Sequence, residues 1–264
     1  MRLWRLSDNA CTAVLEGHTG AVAHLAYTPD GATLASGSDD TTIRLWRLAD
    51  NACIAVLEGH VSFVWALACN SDGATLASGS DDTSVRLWRL ADGACTAVLQ
   101  GHGGAVTALA CTPDGATLAS GSADSTVRLW RLRDKAFTAE LRGHTHDVNA
   151  LACTPDGKTL ASGSDDTTVR LWRLADNTCF AMLRGHASYV WALASVLDGD
   201  TIASGSSDNT VRLWRVRDNA CIAVLHGHAE AVCALACVSG GALLASASAD
   251  STIRIWRLDG KASQ

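Results

Sequence analysis

The chain has 264 residues, a formal net charge of −6, and a composition that is 48% hydrophobic but only 5% aromatic. That length suits one all-β domain, and the acidic balance argues against a general nucleic-acid binder, which needs a basic patch. No apolar run approaches the roughly 20 residues of a membrane span, and Met1 runs straight into Arg2-Leu3-Trp4-Arg5, which is no secretory leader.

The chain opens with a segment from Arg2 to Leu6, followed by a strand-like stretch from Ala10 to Leu15. Gly17-His18 then begins the first full unit. The stretch from Ala21 to Tyr27 is small and apolar and reads as a strand. Thr28-Pro29-Asp30-Gly31 is a type I turn signal, with Pro presetting φ and Gly closing the turn. Ala32 to Ser38 reads as a second strand, Asp39-Asp40-Thr41 as a short turn, and Thr42 to Leu48 as a third strand with alternating β-branched residues. Asp50-Asn51 suits a tight hairpin turn because both tolerate positive φ. Cys53 to Leu57 is the fourth strand and leads into Gly59-His60.

The pattern then repeats. Tryptophan stands at Trp4, Trp46, Trp88, Trp130, Trp172, Trp214 and Trp256, each step being 42 residues, and units begin near Gly17, Gly59, Gly101, Gly143, Gly185 and Gly227. Four short strands cannot bury both faces of their sheet alone, whereas blades stacked radially bury them against each other. The expected fold is therefore all-β: a monomeric six-bladed β-propeller, residues 1–264 forming a single domain, with four antiparallel strands per blade. Residues 1–16 form a closing segment, the outer strand from Ala10 to Leu15 joining the last blade beside the stretch from Ser251 to Leu258 and removing an open edge. The segments from Arg2 to Leu6 and from Arg254 to Leu258 copy the same third strand. The C-terminal one is expected to be resident, because it arrives with its own His228, Ser246 and Asp250.

The succession Gly-His, then Ser-Gly-Ser-x-Asp, then Arg-Leu-Trp resembles the WD-repeat propeller family over essentially the whole chain. One departure is uniform: the Asp that follows Trp in the family is Arg here, at Arg47, Arg89, Arg131, Arg173, Arg215 and Arg257, which reads as a surface or blade-edge change. The resemblance implies one buried hydrogen-bonded tetrad per blade. The sets are His18–Ser36–Asp40–Trp46, His60–Ser78–Asp82–Trp88, His102–Ser120–Asp124–Trp130, His144–Ser162–Asp166–Trp172, His186–Ser204–Asp208–Trp214 and His228–Ser246–Asp250–Trp256. Each imitates a Ser-His-Asp triad, but a triad needs one exposed nucleophile beside an oxyanion hole. Six copies, each with an indole as a further donor, suit a repeated structural clip whose polar groups satisfy each other. No catalytic residue, cofactor or metal site is expected, since the sequence holds no CxxC pair, P-loop, GxSxG elbow or HExxH.

Ten cysteines invite a disulfide reading. Cys11, Cys53, Cys95, Cys179 and Cys221 share one repeat position, where Phe137 fills the sixth slot; Cys69, Cys111, Cys153 and Cys237 share another, with Tyr27 and Ser195. Residues exchanged for Phe, Tyr or Ser read as packing residues, free thiols in a cytoplasmic protein.

Positions that change from blade to blade are not dictated by the fold and are candidates for function. The largest changes flank the valine after Gly-His: Ala21/Ala23, Phe63/Trp65, Ala105/Thr107, Asp147/Asn149, Tyr189/Trp191 and Ala231/Cys233. In the family these line the upper mouth of the central channel, as does the residue before the tetrad Asp (Asp39, Asp81, Ala123, Asp165, Ser207, Ala249). Units two and five, three apart in a six-bladed ring, would set Phe63/Trp65 opposite Tyr189/Trp191. Aromatics beside Asp39, Asp81, Asp147 and Asp165 suit a protein or peptide partner with a cationic side chain; the plainer reading has Trp65 and Trp191 filling space beside small neighbours. The functional expectation is a non-catalytic interaction scaffold, with no nucleic acid or membrane partner. The alternative is a purely structural repeat array, recently amplified or engineered, with no partner.

Overall fold

The computed structural model describes residues 1–8, 10–196, 199–238 and 243–258, and within these every regular element is a β-strand. A hairpin, β1 (Arg2–Arg5) and β2 (Ala10–Val14), comes first. Four-stranded antiparallel blades follow: β3–β6 (Val22–Tyr27, Thr33–Ser38, Ile43–Arg47, Ala52–Leu57), β7–β10 (Val64–Cys69, Thr75–Ser80, Val85–Arg89, Ala94–Leu99) and β11–β14 (Val106–Cys111, Thr117–Ser122, Val127–Arg131, Ala136–Leu141). Next come β15–β18 (Val148–Cys153, Thr159–Ser164, Val169–Arg173, Thr178–Leu183) and β19–β22 (Val190–Ser195, Thr201–Ser206, Val211–Arg215, Ala220–Leu225). The sixth blade holds β23 (Val232–Val238), β24 (Leu243–Ser248) and β25 (Ile253–Arg257). This is the blade architecture of β-propellers. Two compact units comprise Met1–Leu109 and Ala110–Gln264, with β11 running across the boundary.

The turns follow the residue chemistry. Gly31 adopts φ +68° and its N–H donates to the Thr28 carbonyl at 2.8 Å, closing the Thr-Pro-Asp-Gly turn. Asn51, Asn177 and Asn219 take positive φ in the hairpin between third and fourth strands, while Asp50 instead accepts from Arg47. The Trp-Arg departure is accounted for by this pair: Arg47–Asp50, Arg89–Asp92, Arg131–Asp134, Arg173–Asp176 and Arg215–Asp218 are exposed ion pairs three residues apart across the hairpin. Such exposed pairs contribute little stability each, so the change is a surface one. Asn9, between β1 and β2, lies outside the described residues.

Blades meet through their second strand and the next blade's first. In the first unit, a cluster joins Ile43, Leu45, Leu57 and Ala35 to Val64, Leu67, Leu76 and Trp88. In the second, Val169, Leu171, Leu183 and Ala161 meet Val190, Ile202 and Trp214. Glycine lines this seam in the first five blades, and the sixth has Ala247 at the same place. A Cβ on Gly37 would stand 2.8 Å from Val64 Cγ1, and one on Gly163 would stand 2.6 Å from Val190 Cγ1, distances at which a neighbour must move.

The expected closure by the N-terminal strand is corrected. β2 pairs with β1 (Arg2↔Val14, Leu3↔Ala13, Trp4↔Cys11, Arg5↔Ala10), and β25 pairs with β24, leaving a three-stranded last sheet. The physical reason is local. A short turn joins β2 to β1 at small loop-closure cost, and the Met1 and Leu15 backbones bond in both directions at 2.8 and 3.0 Å. Leu3, Ala13 and Leu15 then pack on Leu34 and Trp46 of the first blade. The expectation that the C-terminal copy of the duplicated strand is resident in the last blade holds: β25 carries Trp256 against Ser246.

The packing reading of the outer-strand cysteines is also corrected. Cys11, Cys53, Cys95, Cys179 and Cys221 are free and exposed. Trp46 faces Cys53 across the register slip beside Leu45, and the outer strand that carries the thiol is mostly exposed on both faces, Ile54 and Val56 included. Cys69, Cys111 and Cys153, at the ends of inner strands, are half-buried.

Candidate functional site

The tetrads form as the resemblance implied. In the second blade His60 Nδ1 lies 2.7 Å from Asp82 Oδ2, His60 Nε2 lies 2.7 Å from Ser78 Oγ, and the Trp88 indole N–H donates to Ser78 Oγ at 2.8 Å. The sets of His18, His144, His186 and His228 repeat these contacts at 2.7–3.0 Å. In the third blade Trp130 donates to Ser120 at 2.8 Å, Asp124 accepts from Thr126, and His102 is buried. The donor inventory fixes the proton order: the indole N–H points to the serine oxygen, the serine O–H to Nε2, and Nδ1–H to the aspartate. Every polar group is then satisfied with histidine neutral.

The electrostatics agree. Burial pushes the Asp82 carboxyl up, but hydrogen bonds from Ser84 and His60 outweigh it and hold it at about 2. Asp208 is likewise held at about 2, by Thr210, the Ala187 N–H and His186 against burial. Burial holds His60 and His186 below the usual imidazole value, and their aspartates oppose this only in part. The serines, Ser36 and Ser78 among them, are fully buried. A hydroxyl sealed in this way meets no substrate, so the resemblance to a hydrolase triad is one of composition and not of access.

The blade-specific residues lie at the opposite end of the blades from the Pro-Asp-Gly turns. In the first unit Phe63 and Trp65 are 43% and 38% exposed and meet edge to face, centroids 5.9 Å apart. Beside them the Asp81 N–H donates to the Phe63 carbonyl at 2.9 Å, and its carboxylate accepts from Ser62. Asp39 occupies the equivalent place in the first blade, its N–H bonded to the Ala21 carbonyl. In the second unit Tyr189 and Trp191 repeat the pair, 48% and 41% exposed with centroids 6.3 Å apart, and the Trp191 indole donates to Ser207 Oγ at 2.6 Å.

Asp147, Asn149 and Asp165 form an acidic group next to that second pair. The Asn149 amide donates to Asp165 Oδ1 at 2.6 Å and reaches the Val190 carbonyl, between Tyr189 and Trp191, at 3.4 Å. Asn149 is thereby a bridge between two blades. Burial raises the Asp165 pKa; the negative charges of Asp147 and Asp166 add to that, while Asn149 opposes it. The sequence did not single out Ser62, which donates to Asp81 beside the first pair; a hydroxyl one residue before a rim aromatic was the available signal, whereas Ser207 was already among the variable positions. At the far end of the blades a groove of about 570 Å³ runs past Asp156, Lys158, Arg173 and Phe180, away from the rim residues.

Comparison with known proteins adds the family. The model of the WD domain, G-beta repeat (WD40), matches residues 9–47, 51–89, 93–131, 135–173, 177–215 and 219–257. Single-repeat stretches resemble two larger proteins: the vegetative incompatibility protein HET-E-1 of Podospora anserina, 56% identical over 36 residues, and the protein Notchless of Drosophila melanogaster, 59% identical over 34. These stretches are 14% and 13% of this chain and only 3% and 7% of those proteins. With six matches covering most of its length and the tetrads built in its blades, the chain belongs to the WD-repeat (WD40) family.

Proposed function

We propose that this chain is a non-catalytic protein- or peptide-interaction scaffold of the cytoplasm and that it holds partners at the aromatic and acidic rim of its blades. The observation that carries the reading is the exposure of two edge-to-face aromatic pairs, Phe63–Trp65 and Tyr189–Trp191. Large aromatics left half open to water at positions the repeat fills elsewhere with small residues are favourable contact anchors. The neighbouring carboxylates set the sign of the partner. A Lys or Arg side chain beside Asp147 and Asp165 would offset the burial that, together with the nearby Asp147 and Asp166 charges, raises the Asp165 carboxyl, and would meet the faces of Tyr189 and Trp191 through cation–π contact.

Arrays of Lys- and Arg-containing peptides, read by calorimetry or fluorescence polarisation, test this. Trp191→Ala and Asp165→Asn are each expected to weaken binding about tenfold, and added salt to weaken it further. Binding that survives both substitutions and the matching Trp65→Ala, or that follows the outer strands instead, refutes the rim as the site.

A further inference from the structure

Each of four blades sets an exposed thiol beside a guanidinium. Arg44 Nη1 lies 3.7 Å from Cys53 Sγ, Arg86 Nη1 3.8 Å from Cys95, Arg170 Nη1 3.7 Å from Cys179 and Arg212 Nη1 3.8 Å from Cys221. The four thiols are exposed, and each also donates to the carbonyl two residues on, at 3.4–3.6 Å. The guanidiniums are pinned in place: Arg86 Nη1 would lie 2.9 Å, and Arg212 Nη1 2.7 Å, from a Cβ on the glycine of the Gly-His step.

The third blade shows what such an arginine does when the thiol is absent. Phe137 takes the cysteine slot, and Arg128 pairs with the Glu140 carboxylate at 2.8 Å, its guanidinium carbon 5.2 Å from the Phe137 ring centroid. Glu140 occurs in that blade only; the same repeat position holds Val56, Val98, Met182 and Val224 in the cysteine blades. Where the cysteine is present, the carboxylate partner is missing; the Nε is buried with no hydrogen-bond partner in Arg44, Arg86, Arg170, Arg212 and Arg128 alike, so the blades differ at the Nη end, which faces Glu140 in one and a thiol in the others. An exposed thiol and a cation lacking a carboxylate therefore coincide four times. That pairing suits a small anionic molecule that carries both a carboxylate and a reactive sulfur.

We infer that Cys53, Cys95, Cys179 and Cys221 are sites of mixed-disulfide formation with an anionic low-molecular-weight disulfide of the glutathione type, the adjacent arginine receiving its carboxylate. The exchange balances without another reactant. The cysteine Sγ gives its proton to water and attacks one sulfur of the disulfide; the protein–sulfur bond forms, the disulfide's own S–S bond breaks, and the released thiolate takes up a proton. The cysteine is oxidised to the disulfide level and one half of the reagent is reduced to thiol. The inner-strand thiols differ. Burial and the nearby charges of Asp72 and Asp30 push Cys69 up to about 11, and burial with Asp156 and Asp114 does the same for Cys153, so little thiolate exists there to attack.

The test is timed incubation of the folded chain with glutathione disulfide, followed by peptide mass spectrometry. The four outer thiols are expected to be modified well before Cys69, Cys111 and Cys153. In Arg86→Met, modification of Cys95 is expected to slow about tenfold while Cys53, Cys179 and Cys221 keep their rates in the same molecule; Arg86→Lys should restore most of the loss. With a neutral disulfide such as bis(2-hydroxyethyl) disulfide, the substitution should have no effect. Equal reaction of inner and outer thiols, an unchanged Cys95 rate in Arg86→Met, or an equal slowing toward the neutral reagent would each overturn the assignment. A variant that merely unfolds would be recognised by reaction at the inner cysteines.

Discussion

At the level of single residues the tetrad shows how one set of side chains can hold three segments of chain. Ser78 stands between an indole that donates to it and an imidazole that accepts from it, and Asp82 then closes the series while also accepting from Ser84 and the Val61 N–H. Removing a member leaves the others buried and short of a partner. Asp82→Ala is expected to cost about 1–3 kcal/mol, and Trp88→Ala about 3–5 kcal/mol through the cavity it leaves; urea denaturation of both variants checks the ranking. The turn beside the tetrad carries strain of its own. Thr83 sits at φ +68°, a left-handed conformation unfavourable for a β-branched residue, whereas the fifth blade has Asn209 there. Thr83→Asn should therefore raise stability, by about 0.5–1 kcal/mol, a gain that thermal melting would register as a higher midpoint.

At the level of strands and blades, the seam glycines and the duplicated third strand make separate demands. A methyl group on Gly79 would stand 2.6 Å from Val106 Cγ1, and the seam offers only the neighbouring backbone and a fixed valine rotamer to absorb it. Gly79→Ala is expected to destabilise by about 1–3 kcal/mol, visible as a lower urea midpoint with an unchanged slope. The two copies of the third strand differ in burial. Trp4 is 50% exposed on the hairpin, while Trp256 stacks edge-on to His228 and bonds to Ser246. Trp256→Ala should lower the melting midpoint far more than Trp4→Ala, and the reverse order would show that the hairpin holds the more important copy. Ile253 is 63% exposed, where the equivalent Ile43 is fully buried; among the described residues β25 pairs with β24 alone.

For the molecule as a whole, repetition turns a local proton balance into a global one. His60 and His186 are held neutral by burial, so the unfolded chain takes up protons below about pH 6.5 that the folded chain does not, and stability falls as the pH drops from there. The tetrad aspartates act lower. With folded values at about 2 for Asp82 and Asp208, below the unfolded carboxylate value, their contribution is complete above roughly pH 4 and is lost as the pH falls toward 2. Melting temperature is therefore expected to be flat between roughly pH 7 and 8, to decline below about 6.5 and to fall more steeply below about 4. A midpoint that rises on acidification from pH 7 to 5 would contradict the neutral-histidine arrangement.

The 42-residue period, the Pro-Asp-Gly and Asp-Asn turns and the Gly-His, Ser and Asp positions determined by themselves the number of blades, the strand sequence within each, and the members of the tetrads built on His18, His60, His144, His186 and His228. These features are local or strictly repeated, so each copy confirms the others, and the same physics of burying a four-stranded sheet applies at every step. Three things were decided by tertiary structure. Which strand β2 chose depended on the competition between a nearby β1 and a distant β25, a matter of loop closure and of packing on Leu34 and Trp46 that identical strand sequences cannot encode. Whether the outer cysteines were buried depended on how far the fourth strand of each blade is covered, and that strand is mostly exposed on both faces. The rim was legible as a set of variable positions, yet the bond from Asn149 across to the blade of Tyr189 and Trp191, and the pairing of each thiol with an arginine nine residues before it, arise only when strands stand side by side, because contact across a sheet is set by register and not by distance along the chain.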